Sequence, residues 1–270
     1  MIGAIIGDIV GSIYEFNNIK TKNFPLFSEG STFTDDTVCT VAVAEAILDG
    51  SDVTASLRKW CGRYPDMSYG NAFRKWLRSD DPQPYNSWGN GSAMRVSPAA
   101  YLAPSIDYAR KLAIQVTEVT HSHPEGIKGA LATVDAIWLL SSGARSQIPK
   151  VREHIAVTYG YDMNRTVDSI RPTYKFDESC QRTVPEAIIC ALEGVDFEDV
   201  VRNAISIGGD SDTVAAIAGA IGEMQFELDI PEDICREALN RLPDDLLQVV
   251  VRMYDEADRH QGGYRMALPV

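Results

Sequence analysis

Basic residues are the first thing this chain is short of. Against 38 Asp and Glu it has 25 Lys and Arg, a formal net charge of -13 and a pI near 4.7. That balance argues against general binding of nucleic acid or another polyanion, which needs a basic face, while a local positive pocket remains compatible with it. Histidine is also scarce, at four residues, and the five cysteines form no Cys-x-x-Cys pair and are odd in number. Such thiols read as reduced and mostly buried in a cytoplasmic protein. A cysteine nucleophile is disfavoured because no cysteine stands beside a histidine. The start, Met1-Ile2-Gly3-Ala4, has no basic n-region, so no signal peptide is expected. Long apolar runs are missing as well. The longest are short and contain Glu45 or Glu223, and none would span a bilayer. Alternating β patterns and hairpin turns are absent too. The expected fold is therefore all-α: one globule of ten or more helices over residues 1–270, without a linker or an internal repeat.

What the chain has is acid at two helix entrances. Thr34-Asp35-Asp36-Thr37 precedes the apolar run Val38 to Leu48. The turn Ile207-Gly208-Gly209 leads into Asp210-Ser211-Asp212-Thr213 and a second apolar run. Either motif alone could be ordinary helix capping. Together they describe two entrances of the same design. If the fold brings them face to face, four carboxylates and two hydroxyls converge, and such a cluster repels itself unless metal neutralises it. Oxygen donors of this kind suit hard cations such as Mg²⁺, Mn²⁺ or Ca²⁺. The expectation is a two-metal site with Thr34, Asp35 and Asp36 on one side and Asp210, Asp212 and Thr213 on the other.

The first segment, residues 2–16, keeps helical spacing of its isoleucines, with Gly3, Gly7 and Gly11 recurring every fourth residue. Glycine weakens a helix by about 1 kcal/mol against alanine, so a glycine ridge points to the close approach of another backbone. Asp8 and Glu15, two turns apart on that helix, read either as solvated acids or, for Glu15, as an acid reaching the metal site. Residues 17–33 read as a loop of the kind that lies over a site, and Ser51 reads as the cap of a following helix. Residues 62–104 read as loop-rich and aromatic, and they contain Gly89-Asn90-Gly91-Ser92. That loop reads as a plain turn or as one whose backbone meets an anion or nucleotide. His121 and His123 end an amphipathic helix at 105–120, and capping competes there with hydrogen bonding to a phosphate or sugar. A central apolar helix is expected at 124–142, polar turns at 143–183, a short helix after Pro185, and two amphipathic helices at the end.

The stretches GAIIGDIVGSIYE (3–15), FTDDT (33–37), GNGSAMR (89–95), THSHPEG (120–126), CQRTVPEAI (180–188) and GGDSDT (208–213) resemble, in order, those of the ADP-ribosylglycohydrolases, or ADP-ribosyl-acceptor hydrolases. This family includes the dinitrogenase reductase-activating glycohydrolase. The resemblance covers nearly the whole chain and implies an all-α fold with a central dinuclear Mg²⁺ or Mn²⁺ cleft. It places the metal ligands on Thr34, Asp35, Asp36, Asp210, Asp212 and Thr213. It matches Glu15 to an acid near the site, and Gly89, Asn90, Gly91, Ser92 and His121 to positions that contact ADP-ribose. Gly208 and Gly209 are grouped with these as substrate-binding. The implied reaction hydrolyses the bond between ribose and an acceptor, with Glu15, Asp35 or Asp36 as general base. The implied partner is an ADP-ribosylated protein, with a nucleic-acid acceptor still open. A non-catalytic ADP-ribose-binding module and a metal-dependent pyrophosphohydrolase are the alternatives. No sequence feature sets the acceptor group, the choice between Mg²⁺ and Mn²⁺, or the oligomeric state.

Overall fold

The computed structural model describes residues 1–141, 144–227 and 229–261. Among these, the regular structure is α-helical, with one 3-10 segment at Ala144–Gln147, no β-strand and a lone bridge between Gly89 and Ser179. The helices are α1 (Ile2–Gly11), α2 (Asp35–Asp49), α3 (Val53–Arg63), α4 (Asn71–Leu77), α5 (Gly91–Met94), α6 (Ser97–Tyr101), α7 (Ile106–Glu118), α8 (Pro124–Leu140), α9 (Ile148–Tyr159), α10 (Val167–Ile170), α11 (Cys180–Glu193), α12 (Phe197–Ser206), α13 (Ser211–Gln225), α14 (Glu232–Leu239) and α15 (Asp244–Gln261).

Two helices form the axis. Every residue of α1 and of α13 is buried, the mark of helices apolar on all sides and placed centrally. The glycine ridge explains how close they come. A Cβ on Gly3, Gly7 or Gly11 would stand 2.2 Å from the Gly219 carbonyl oxygen, 2.0 Å from that of Ala215, or 2.4 Å from the Asp212 Cα. Gly219 returns the contact, since its Cβ would lie 2.1 Å from the Gly3 oxygen. Only hydrogen fits between these backbones. At one end the buried Glu223 carboxylate fixes the register, accepting from the Gly3 N–H at 2.9 Å and the Met1 amine at 2.6 Å. Helices α8, α11 and α12 pack around α13, and the buried apolar residues form one cluster from Met1 to Tyr254.

Near the other end of α1, the fully buried Asp8 fastens α2. Its carboxylate accepts from the Thr34 N–H at 2.9 Å, the Thr34 hydroxyl at 2.7 Å, the Thr37 N–H at 3.1 Å and the Thr37 hydroxyl. So α1 holds α13 on its glycine face and α2 by Asp8, and the two acidic entrances meet there.

Several local expectations are corrected. Helix α1 stops at Gly11, so Glu15 follows on a turn and shares no helical face with Asp8. Asp52, not Ser51, caps α3, accepting from the Ala55 N–H at 2.7 Å. Residues 62–104 carry the short helices α4, α5 and α6, the last wholly buried. The polar stretch after 143 contains α9, with Pro149 in its first turn and Gly160 in the left-handed region (φ 68°) at its end. Val151 and Ile155 of α9 are buried, and Ile148, Ala156 and Tyr159 pack against the core beside them. Helix α11 starts at Cys180 and keeps Pro185 inside it. The 17–33 segment is irregular, as expected, and Asn18 and Lys20 bond it to the turn before α13.

Candidate active site

The two entrances are capped differently, which bears on what their acids do. Thr34 is the N-cap of α2, and its hydroxyl accepts from the Asp36 N–H at 3.2 Å. Asp210 occupies the N-cap position of α13 but makes no side-chain capping bond. Its Oδ2 instead accepts from Asn90 Nδ2 at 2.6 Å. Capping therefore does not account for the Asp210 carboxylate, nor for those of Asp35 and Asp36, whose helix is already capped by a threonine. Thr213, at the first turn of α13, lines the same cleft as Asp36 and Asp210, and its N–H donates to Asp212 at 3.0 Å. Carboxylate oxygens of Glu15, Asp210 and Asp212 lie within 4.8 Å of one another. Asp35 and Asp36 line the same cleft, a cavity of about 300 Å³.

None of these five carboxylates forms a salt bridge among the described residues. Burial, reinforced by the neighbouring acids Asp210, Asp35 and Glu178, pushes Glu15 up to about 7. Burial and Asp8 push Asp35 to about 7. Asp36 and Asp212 are driven well above the usual carboxylate range by burial and by the acids around them. Burial raises Asp210 too, against the hydrogen bonds it accepts. Asp36 Oδ2 is buried without a hydrogen-bond partner. Buried oxygens are nearly always satisfied. An orphaned carboxylate oxygen among uncompensated acids, in an all-oxygen donor set, fits a hard divalent cation.

The rest of the cleft wall is lined by Tyr85, Gly89, Asn90, Gly91, Arg95, His121 and Glu178. The bridge from Gly89 to Ser179, with the Asn90 N–H donating to the Glu178 carbonyl at 2.7 Å, fixes the glycine loop against the start of α11. His121 is 5% exposed, with Nδ1 2.7 Å from the Thr120 hydroxyl. His123 caps α8 instead, accepting from the Glu125 N–H at 3.1 Å.

The fold thus brings Glu15, Asp35, Asp36, Asp210, Asp212, Thr213, Gly89, Asn90, Gly91 and His121 to one cleft. It sets four other expected residues behind that surface. Thr34 lies beneath, donating to Asp8. Ser92 is fully buried and donates to the Gly126 carbonyl at 2.8 Å. Gly208 and Gly209 adopt φ of 68° and 83° to turn the chain into α13. A Cβ on Gly209 would meet the Tyr174 ring at 2.4 Å, and its N–H and carbonyl are held by Asn18 at 2.7 and 2.8 Å. The two glycines shape the entrance and do not line the cleft. Sequence reasoning did not single out Glu178, Tyr85 or Asn18. Each sits in an irregular polar segment with no periodic signal.

Residues 1–262 match the family model described as ADP-ribosylglycohydrolase, and the chain belongs to that family of glycosidic-bond hydrolases. Among its relatives, the ADP-ribosylhydrolase ARH3 of Mus musculus is 25% identical over 86% of this chain and 84% of its own length. The human ARH3 is likewise 25% identical, over 86% of each. The ADP-ribosylarginine hydrolase Tri1 of Pseudomonas putida is 25% identical over 82% of this chain and 68% of its own. A solved structure described as an ADP-ribosylglycohydrolase-related protein complex shares the fold, with a TM-score of 0.70 at 21% identity over 95% of this chain and 97% of that one. No helix of the described residues is long and apolar enough to cross a membrane.

Proposed function

We propose that the protein is a metal-dependent hydrolase that cleaves the bond between ADP-ribose and an acceptor, an ADP-ribosylated protein side chain or a related conjugate, and releases ADP-ribose. The observation that carries this reading is the uncompensated cluster of five carboxylates with the orphaned Asp36 Oδ2. The names of the relatives, which act on ADP-ribosyl groups, supply the substrate class.

Asp35, Asp36, Asp210, Asp212 and Thr213 would hold two Mg²⁺ or Mn²⁺ ions, with Thr34 behind them fixing the start of α2. When bound, such ions orient ribose hydroxyls and raise the acidity of a water. The chain's own residues do the rest. Gly89 and Gly91 leave the wall without side chains, so the ligand lies against backbone and the His121 ring. Glu15 serves as general base. It is half-buried at the cleft, and no group among the described residues donates a hydrogen bond to its carboxylate. It is therefore free to take a proton from a water beside Asp210 and Asp212. A base matched to neutral pH serves an oxocarbenium-like cleavage well. The protein works in the cytoplasm, where its five buried free thiols stay reduced.

The test is release of free ADP-ribose from a panel of ADP-ribosylated acceptors, with and without Mg²⁺ or Mn²⁺ and with Asp212→Ala as control. Metal-dependent release that Asp212→Ala abolishes is expected. AMP and ribose phosphate as products would establish a pyrophosphohydrolase instead. Tight ADP-ribose binding with no release from any acceptor would establish a binding module.

A further inference from the structure

Arg95 is 1% exposed and lines the cleft, yet pairs with no carboxylate among the described residues. Its Nη2 donates to the Val116 carbonyl at 3.1 Å and to the Thr120 hydroxyl oxygen at 2.7 Å. An unpaired buried cation is costly, so its neighbours indicate what it does. A guanidinium only donates, so Thr120 Oγ1 must accept from it. The hydroxyl hydrogen then needs an acceptor, and among the described residues the one in reach is His121 Nδ1, at 2.7 Å. Nδ1 is therefore bare, and a neutral ring carries its hydrogen on Nε2. Nε2 faces the glycine loop, 3.4 Å from where a Cβ on Gly91 would stand and 3.6 Å from one on Gly89. Burial, helped by the Arg95 charge, holds the ring neutral by lowering its affinity for a second proton.

We propose that Arg95 is a positioning residue: through the Thr120 hydroxyl it locks His121 as the Nε2–H tautomer, so that the cleft meets a hydrogen-bond donor at this point and no acceptor. The ligand atom placed there is an oxygen, on a phosphate or a hydroxyl, and a protonated amine is refused. The tautomer lock stands on the hydrogen bonds alone. Its effect on substrate rests on the function proposed above.

The test is ¹⁵N NMR of the histidine rings near pH 7, with His121 assigned by its loss in His121→Asn. Wild type should show a bare Nδ1 and a protonated Nε2. Thr120→Val should lose that pattern, and Thr120→Ser should restore it. Arg95→Met, checked for folding by its amide spectrum, should change the pattern as Thr120→Val does. A protonated Nδ1 in wild type, or an unchanged pattern in Thr120→Val, overturns the lock. An unchanged pattern in folded Arg95→Met removes Arg95 from it. For an ADP-ribosylated conjugate, Thr120→Val should raise KM about tenfold, the scale of one lost hydrogen bond, and more than it lowers kcat. A correct NMR pattern with unchanged KM in both Thr120→Val and His121→Asn overturns the substrate contact and leaves the lock standing.

Discussion

Replacing Gly7 by alanine pits two effects against each other, and their magnitudes decide the sign. Alanine favours a helix over glycine by about 1 kcal/mol. At Gly7, however, the new Cβ would lie 2.0 Å from the Ala215 carbonyl oxygen, where ordinary contact begins near 3.4 Å, so the helices must part by about 1.4 Å. The obstacle is backbone in a helix buried along its whole length, so no side chain can swing aside. Overpacking of a well-filled core costs about 1–3 kcal/mol, and a rigid obstacle puts this case at the upper end. The net effect is a loss of about 2 kcal/mol, which for a domain of this size lowers Tm by roughly 4–8 °C. Gly62 provides the internal control. It lies within α3 with no atom within 4 Å of its added Cβ, so Gly62→Ala should raise Tm by a few degrees. Calorimetry of the metal-free proteins reads both changes. A Gly7→Ala protein that melts at or above wild type, or the same sign for both variants, would refute the close-contact account of the α1–α13 interface.

Two further outcomes follow from the site. Asp8→Asn, at a residue proposed to touch no metal, exchanges a four-bond acceptor for a group with one acceptor and one donor. It should cost about 3 kcal/mol and weaken Mg²⁺ binding through displacement of the start of α2, which carries Asp35 and Asp36, read by calorimetric titration and thermal melts. Unaltered Mg²⁺ affinity would show that α2 is held by other contacts. The raised carboxylates also set a pH dependence. Glu15 and Asp35 rise from 4.5 and 3.8 in the unfolded chain to about 7 when folded, so the metal-free folded state binds more protons across that window. Their contribution to stability is thus complete below about pH 4 and is lost as pH rises through 7. The gain in Tm on adding Mg²⁺ should therefore grow from pH 5 to pH 8. A gain independent of pH would contradict the uncompensated cluster.

The sequence was most informative where chemistry or geometry allowed few residue types. A glycine every fourth residue has one strong physical explanation in a buried helix, and the α1–α13 contact supplies it. Paired acids at two helix starts were legible as a pattern, although their convergence depends on α1, which fastens both helices. Asp8 was misleading because a helix assumed to run to residue 16 placed it beside Glu15. The helix ends at Gly11, and Asp8 turns instead to the threonines of α2. Helix α9 was passed over although Ile148, Val151, Ile155 and Tyr159 keep helical spacing, because the charged residues between them made the stretch read as polar turns. Contacts such as Asn90 with Asp210, or Arg95 with Thr120, join residues far apart in the chain or on different elements, and no local pattern records them. The same holds for Gly208 and Gly209, whose motif sits beside the site although their backbones serve the turn.

The contact between Gly7 and Ala215 also has a consequence in time. The two residues are 208 positions apart in the sequence. At a translation rate of about 5–20 residues per second, α1 leaves the ribosome roughly 10–40 s before its partner exists. Through that interval an almost wholly apolar helix has no surface to cover it, which makes the nascent chain a natural client for chaperones. It also means that the acids of α2 and α13 cannot meet until most of the chain has been made. During synthesis, the metal ions proposed for this site could not be held by both entrances before α13 has emerged.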